Sequence, residues 1–376
     1  MSFIAAISRH PSAADATAEV VGQVLERDGA QPDLALVCCT TPHVDAFDEI
    51  VGTISTLVSP ARLLGVTAGG VIGRHEEVED IPGLSLWTAR LGYVPEPVRL
   101  TAASTTAGVA LQGLPHVDPD AGTTALLLAD PFTLPVPDVL DVIAANERPL
   151  PVIGGLASAG MSPGHNRLAL DDDVYDDGGV GVLLQEVETV VSQGCRPIGS
   201  PMIVTKAEGN RLYELAGRSA LERLELLLGE VTAEERALLS MGGVHLGIVA
   251  DEHQLAFARG DFLVRNVVGA DRDSGALVVG AQPEVGTTVQ FHLRDAASAD
   301  EDLRALLTGR RAEGALLFTC NGRGRRLFGV ADHDAQLVAD LTPDQGVGGM
   351  FCAGEVGPIG ARSFLHSFTA SVVLFP

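Results

Sequence analysis

The chain has little of what would commit it to a named chemistry, and each absence narrows its function. Basic residues are scarce: 25 Lys and Arg stand against 49 Asp and Glu, a formal net charge of −24. Phosphate backbones and anionic membranes repel such a surface, so no nucleic-acid and no membrane partner is expected. Long apolar runs are missing; none approaches the ~18 residues of a membrane-crossing helix. There are only five cysteines, Cys38, Cys39, Cys195, Cys320 and Cys352. An odd count without a C-x-x-C pair argues against a disulfide framework and for a reducing, cytoplasmic location. The opening MSFIAAISRHPS has no basic segment followed by a long apolar one, so it does not read as a secretory signal.

Catalytic and metal motifs are missing as well. No H-x-x-x-H, H-E-x-x-H or C-x-x-C spacing occurs, and no metal site is expected. Three glycine loops, Thr67–Gly70, Gly154–Gly160 and Cys352–Gly357, lack the order G-x-G-x-x-G and the Gly-Lys-Thr ending of nucleotide sites. Leu156-Ala157-Ser158-Ala159-Gly160 begins with Leu where a nucleophile elbow needs Gly. His75-Glu76-Glu77-Val78-Glu79 is dense in donors, but its turn-like setting before Pro82-Gly83 reads as solvated or as loop support. No catalytic residue is assigned.

What the chain does have is core-forming sequence. With 376 residues, 46% hydrophobic, and a mean hydropathy of +0.24, it can bury the cores of two or three domains. One grammar recurs three times: a buried strand, a helix, a second strand, a glycine loop and another apolar run. The first copy runs from Leu34–Cys39 through Leu63–Gly73 to Leu84–Ala89. The second runs from Thr124–Asp130 through Pro151–Gly160 to Val180–Val187. The third runs from Gly314–Cys320 through Val347–Gly357 to Phe364–Phe375. Between the second and third copies, a hairpin at Ile198–Leu215 leads into helical sequence at Ser219–Leu239. Thr232 and Glu235 form a capping-box pattern there, and strands resume from Val244. The fold class is α/β, mixed α+β, with two domains of mixed sheets and flanking helices.

The third copy carries the candidate binding residues. Cys320-Asn321-Gly322-Arg323-Gly324 follows a buried strand directly, a place where α/β folds put functional loops. Glycines on both sides of Arg323 allow a sharp turn, and its planar fork suits a carboxylate. That carboxylate belongs either to a ligand or to a structural partner such as Glu355. Cys320 reads as a buried small residue, or as a thiolate if a cation lowers its pKa. His366, which period two places on one strand face with Phe368 and Ala370, joins Asn321, Gly322, Arg323, Gly324 and Glu355 as candidates. Arg265 and Arg294 are secondary ones, Arg294 with Asp295 beside it as a structural partner.

These blocks resemble the FIST family of two-domain sensory modules. The amino-terminal part is similar in LLGVTAGGVIG, HEEVED, GLSLW and VIGGLASAG. The carboxy-terminal part is similar in GDFLVRNVVGADRDSGALVVG, VQFHLRDA, LLFTCNGRG, FCAGEVGPIG and LHSFTASVVLF. The resemblance implies a FIST N domain over 30–225 and a FIST C domain over 226–376. It implies small-ligand binding, with amino acids as the ligand class, upstream of signalling; Arg323 itself suits a small anionic group. Some family members associate with haem; no axial residue can be carried over to this chain, so no cofactor is expected and haem stays open. No kinase, cyclase, methyl-accepting or F-box segment is recognisable, so a separate signalling protein or a change of oligomer would carry the output. A Cys/Arg/Glu enzyme, a haem or nitric-oxide sensor and a protein-binding scaffold remain the alternatives.

Overall fold

The computed structural model describes residues 1–105, 108–115, 122–254, 256–343 and 346–376. The local signals are realised where they were strongest. Ser12 caps the helix Ala13–Asp28, its hydroxyl accepting from Asp15 N–H, and the helix buries Val20, Val21 and Val24. Thr232 and Glu235 close a reciprocal capping box on the helix Ala233–Gly242. The chain is mixed α/β, with helices on the faces of mixed sheets.

It forms two compact units. The first comprises 1–191, 304–365 and 369–376; the second comprises 192–303 and 366–368. The division expected by sequence pattern follows the chain, whereas the spatial units do not, because the chain returns to the first unit after residue 303.

In the first unit all three copies of the repeating pattern take one topology. In each, the first strand pairs in parallel with the second: Leu34–Thr40 with Leu63–Ala68, Thr123–Ala129 with Val152–Leu156, and Gly314–Cys320 with Val347–Cys352. A helix crosses between them: Phe47–Leu57, Val136–Ala144 and His333–Ala339. A later strand returns antiparallel on the other side of the first: Leu84–Arg90, Gly179–Gln185 and Thr369–Phe375. Parallel pairs need such crossovers, and continuous apolar strands are what burial on both faces demands. The inner faces meet in a shared core that includes Trp87, Leu126, Leu128, Phe318, Met350 and Phe375.

The outer edge of each second strand is covered by another copy. Leu63–Ala68 pairs with Leu168–Leu170, which follows the second copy's glycine loop. Val152–Leu156 pairs with Glu355–Ile359, which follows the third copy's loop. Val347–Cys352 pairs with Gly70–Gly73, which follows the first copy's loop. The exchange is cyclic: each copy gives a strand to one neighbour and receives one from the other.

Where the three loops meet, backbone hydrogen bonds repeat the cycle. Thr67, Leu156 and Phe351 stand opposite Cys39, Ala129 and Thr319 in their pairs. Ser158 N–H donates to Thr67 O at 3.2 Å, and Ala353 N–H donates to Leu156 O at 3.1 Å. The third link runs through a side chain instead. Ser158 Oγ accepts from Gly69 N–H at 2.8 Å and donates to Phe351 O at 2.6 Å. Two glycines mark the repeat as well. Gly154 and Gly349 have φ of +143° and +150°, and a Cβ on either would stand 1.9 Å from the carbonyl oxygen of Leu127 or Leu317. No other residue fits there.

Two expectations are corrected. The apolar run Phe364–Phe375 is broken into Arg362–His366 and Thr369–Phe375, because Phe368 adopts φ +65°. The period-two face expected for His366, Phe368 and Ala370 therefore does not exist. His75–Glu79 is not turn-like: Glu76–Glu79 is a strand paired with Gly70–Gly73.

The second unit is a largely antiparallel sheet. Its order is Cys195–Glu208, Thr288–Arg294, Val244–Val249, Phe262–Asp271, Ala276–Val279, Arg211–Leu215. The helices Ala220–Glu230 and Ala233–Gly242 contribute Ala220, Leu224 and Leu239 to its core, with Leu246 and Phe291 from the sheet.

Ser158→Ala should leave Gly69 N–H and Phe351 O unpaired, at a cost of about 1–3 kcal/mol. Urea denaturation of the variant against wild type measures it; a stability unchanged within error would show that the bridge is dispensable.

Candidate functional site

The residues after the strand Gly314–Cys320 turn inward. Asn321 N–H donates to Cys352 O at 2.9 Å, and Arg323 N–H donates to Cys320 O at 2.8 Å, closing a tight turn. Gly324 follows at φ +60°; a Cβ there would stand 2.6 Å from Glu79 Oε2, so glycine is required. The turn drives the Arg323 side chain into the interior, where it is 0% exposed.

Its carboxylate partner is Asp334, near the start of the helix His333–Ala339, and not Glu355. Arg323 Nε donates to Asp334 Oδ2 at 2.7 Å and Nη2 to Oδ1 at 2.9 Å, a bidentate pair. Thr319 Oγ1 donates to Asp334 Oδ2 at 2.8 Å, and His333 Nδ1 lies 3.0 Å from Oδ1. The guanidinium lies over the Phe328 ring at 5.2 Å, and Phe328 stacks on His333 at 3.5 Å. Burial would raise the Asp334 carboxyl. The charge and hydrogen bonds of Arg323, with those of His333 and Thr319, outweigh it and hold Asp334 well below the usual carboxylate range.

Two further carboxyls border this pair. Glu355 is also 0% exposed, and its Oε2 accepts from Thr369 N–H at 3.1 Å and Thr369 Oγ1 at 2.8 Å. Burial pushes it up to about 8, against the opposing effects of Thr369, the Cys320 thiol and the Arg323 charge. Glu77 is buried on the other side. Its Oε1 accepts from Ala335 N–H at 3.0 Å, and its own N–H donates to Asp332 Oδ1 at 2.7 Å. Burial, then the Asp334 charge, raises Glu77 to about 8. Burial thus favours the protonated form of both glutamic acids, while Asp334 balances the Arg323 charge.

Hydrogen bonding in the cluster is incomplete. Among the described residues, Arg323 Nη1, Glu355 Oε1 and Glu77 Oε2 are buried without a hydrogen-bond partner. The thiol of Cys320, a weak donor, acts on the Glu355 carboxyl but does not satisfy Oε1 in the way an N–H or O–H would. Buried polar atoms left open cost free energy and mark sites of strain or function. At the cluster's rim Asn321 and Gly322 are half-buried, and Asn321 Oδ1 is 3.1 Å from where a Cβ of Gly69 would be. The loops of the first and third copies therefore touch beside the cluster.

The structure brings Asn321, Gly322, Arg323, Gly324 and Glu355 into one region of the first unit. Three other candidates, Arg265, Arg294 and His366, belong to the second unit. Arg265 lies on the strand Phe262–Asp271, opposite Leu246. Asp295, beside Arg294, accepts from Arg196 Nε at 2.9 Å, and Arg196 also reaches Glu235 at 3.1 Å. The Arg294 guanidinium lies 5.2 Å from the Phe368 ring centroid. His366 is buried. Two more buried histidines, His245 and His292, face each other across adjacent strands. Burial pushes both down to about 4, helped at His245 by Arg294 and at His292 by His245.

Sequence reading missed Asp334, Glu77, Thr319 and Thr369. Glu77 was hidden by its charged neighbours. Asp334 stands near a helix start, where acidic residues are common on solvent-facing turns. Among the described residues no group of three metal-ligating side chains is placed to hold an ion, and no helix is long and apolar enough to cross a membrane.

The FIST N domain matches residues 33–218 and the FIST C domain matches residues 220–358. An uncharacterised protein of Mycobacterium bovis is 42% identical over 375 residues, covering 97% of this chain and 96% of the relative. An uncharacterised protein of Mycobacterium tuberculosis is 41% identical over 379 residues, covering 98% of both.

Asp334→Ala would leave the Arg323 charge buried and unpaired, costing about 3–5 kcal/mol, read as a fall in the unfolding free energy. The two raised carboxyls set a pH dependence. Each holds its proton in the folded state up to about 8 but releases it near 4.5 when unfolded, so its stabilisation is full below 4.5 and lost as pH rises through 8. Glu355→Gln should therefore gain on wild type by up to about 1.4 kcal/mol per pH unit across that window. Urea titrations at pH 5, 6.5 and 8 measure the difference, and parallel curves would refute it.

Proposed function

Because this chain belongs to the FIST family, whose domains are in general sensory or ligand-binding, we propose that it binds a small amino-acid-like ligand at the Arg323 cluster. Arg323 Nη1 and the Asn321 side-chain amide at the rim receive the ligand's acceptor atoms, and Glu355 Oε1 receives a donor. The observation that carries this reading is the set of open hydrogen-bond positions on fully buried side chains, at the strand ends where three glycine loops meet. A structural cluster gains nothing from leaving them open, whereas a ligand that fills them recovers their desolvation cost. Binding acts by population shift, favouring the arrangement of the loops that closes on the ligand, and a separate protein reads the change. No catalytic step is assigned to the chain.

Native protein should release a small molecule on denaturation that mass spectrometry identifies. Re-adding it at about 100 times its Kd should stabilise the protein by about 2.7 kcal/mol. Asn321→Ala and Glu355→Gln should each reduce that thermal shift. A shift undiminished in both variants would place the ligand elsewhere.

A further inference from the structure

We infer that the ligand group received by Glu355 is an ammonium or other cationic donor, and that its binding expels the carboxyl proton to solvent. The inference rests on the small-ligand reading above and adds the charge of the recognised group. It follows from the charges that surround the open positions. Arg323 is the buried cation of the cluster, and Asp334 already neutralises it through two hydrogen bonds. A free anion at Arg323 Nη1 would thus enter without an uncompensated positive charge to meet it, a costly burial.

Glu355 is placed in the opposite way. In its unit, Arg323, Cys320 and Cys352 are titratable or charged groups that act on it. Thr369 supplies two hydrogen bonds to Oε2 and none to Oε1. The carboxyl without ligand keeps its proton, since an ionised form would be a net negative charge in a closed interior. An arriving ammonium donates N–H to Oε1 and supplies the missing positive charge. The carboxyl then ionises, its proton leaves to solvent, and the buried region returns to net zero. A zwitterionic ligand adds its own carboxylate, which turns to the half-buried rim at Asn321, where the side-chain amide and solvent receive it.

The proton gives the test its signature. With the carboxyl titrating near 8, the apparent affinity for a cation should rise about tenfold per pH unit between pH 5.5 and 7. Three probes separate the charges: L-alanine, ethylammonium (the same skeleton without the carboxylate) and propionate (the skeleton without the amine). Titration calorimetry on the full chain at pH 6.5, in phosphate and in MES (two buffers of different ionisation enthalpy and without a primary ammonium), reads both affinity and protons exchanged. Expected are binding of alanine and ethylammonium with about one proton released, and no binding of propionate. Glu355→Gln should abolish the release and flatten the pH slope. Thr369→Val, which removes one donor that favours the ionised carboxyl, should shift the slope to higher pH. If Glu355→Gln does not fold, the wild-type slope alone decides. Binding of propionate without ethylammonium overturns the charge assignment while leaving a small-ligand site in place. So does binding of alanine or ethylammonium with no proton released. Failure of all three probes to bind overturns both readings.

Discussion

No copy of the strand–helix–strand unit covers its own outer edge, and the first unit is built around that constraint. A parallel pair leaves a row of unpaired backbone groups on its second strand, and an open edge invites pairing with foreign chains. Here the strand that follows each glycine loop crosses to the next copy and closes that edge, in a cycle of three. The exchange explains why the loops are rich in glycine. They leave one sheet, pass close to a neighbouring copy and enter another within a few residues, and side chains would collide at several of those positions. It also explains why the loops converge, and why Ser158 is able to complete with its hydroxyl a ring whose other two links are made with backbone alone.

The candidate site is a by-product of this arrangement in one copy. The first copy's exchanged hairpin delivers Glu77 to the helix start at Asp334, and the third copy's own exchanged strand carries Glu355. Arg323 enters between them from the turn after Cys320. A buried ion pair is weak support for a fold, because desolvation offsets most of its attraction. Its presence with two glutamic acids whose carboxyls burial raises, and with three open hydrogen-bond positions among the described residues, points to recognition more than to stability.

Much of the fold was legible in the sequence because its signals are local. Continuous apolar runs such as Leu34–Cys39 and Gly314–Cys320 gave buried strands. Ser12 and Thr232 marked helix starts through capping chemistry, and the three-fold recurrence appeared as a repeated order of elements. The exchange was not legible, since nothing in the run Gly70–Gly73 says that its partner is Val347–Cys352. The site was half legible for the same reason. Glycines around Arg323 announced a turn, but its partner lay eleven residues on, at a helix start, and Glu355 had seemed the natural choice by motif alone. Phe364–Phe375 misled because a single left-handed residue, Phe368, breaks a run whose composition is uniformly strand-like.

Cyclic exchange also fixes an order of events during synthesis. Val71 pairs beside Met350, so the first copy's hairpin emerges from the ribosome long before its sheet exists. At roughly 5–20 residues per second the wait is tens of seconds. Through that interval Gly70–Gly73 lacks the strand that will pair with its outer edge, and Val347–Cys352 is then made between two waiting neighbours. The chain therefore closes like a clasp, with its last strands completing its first, and the buried carboxyls meet their arginine only when almost all of the protein has been made.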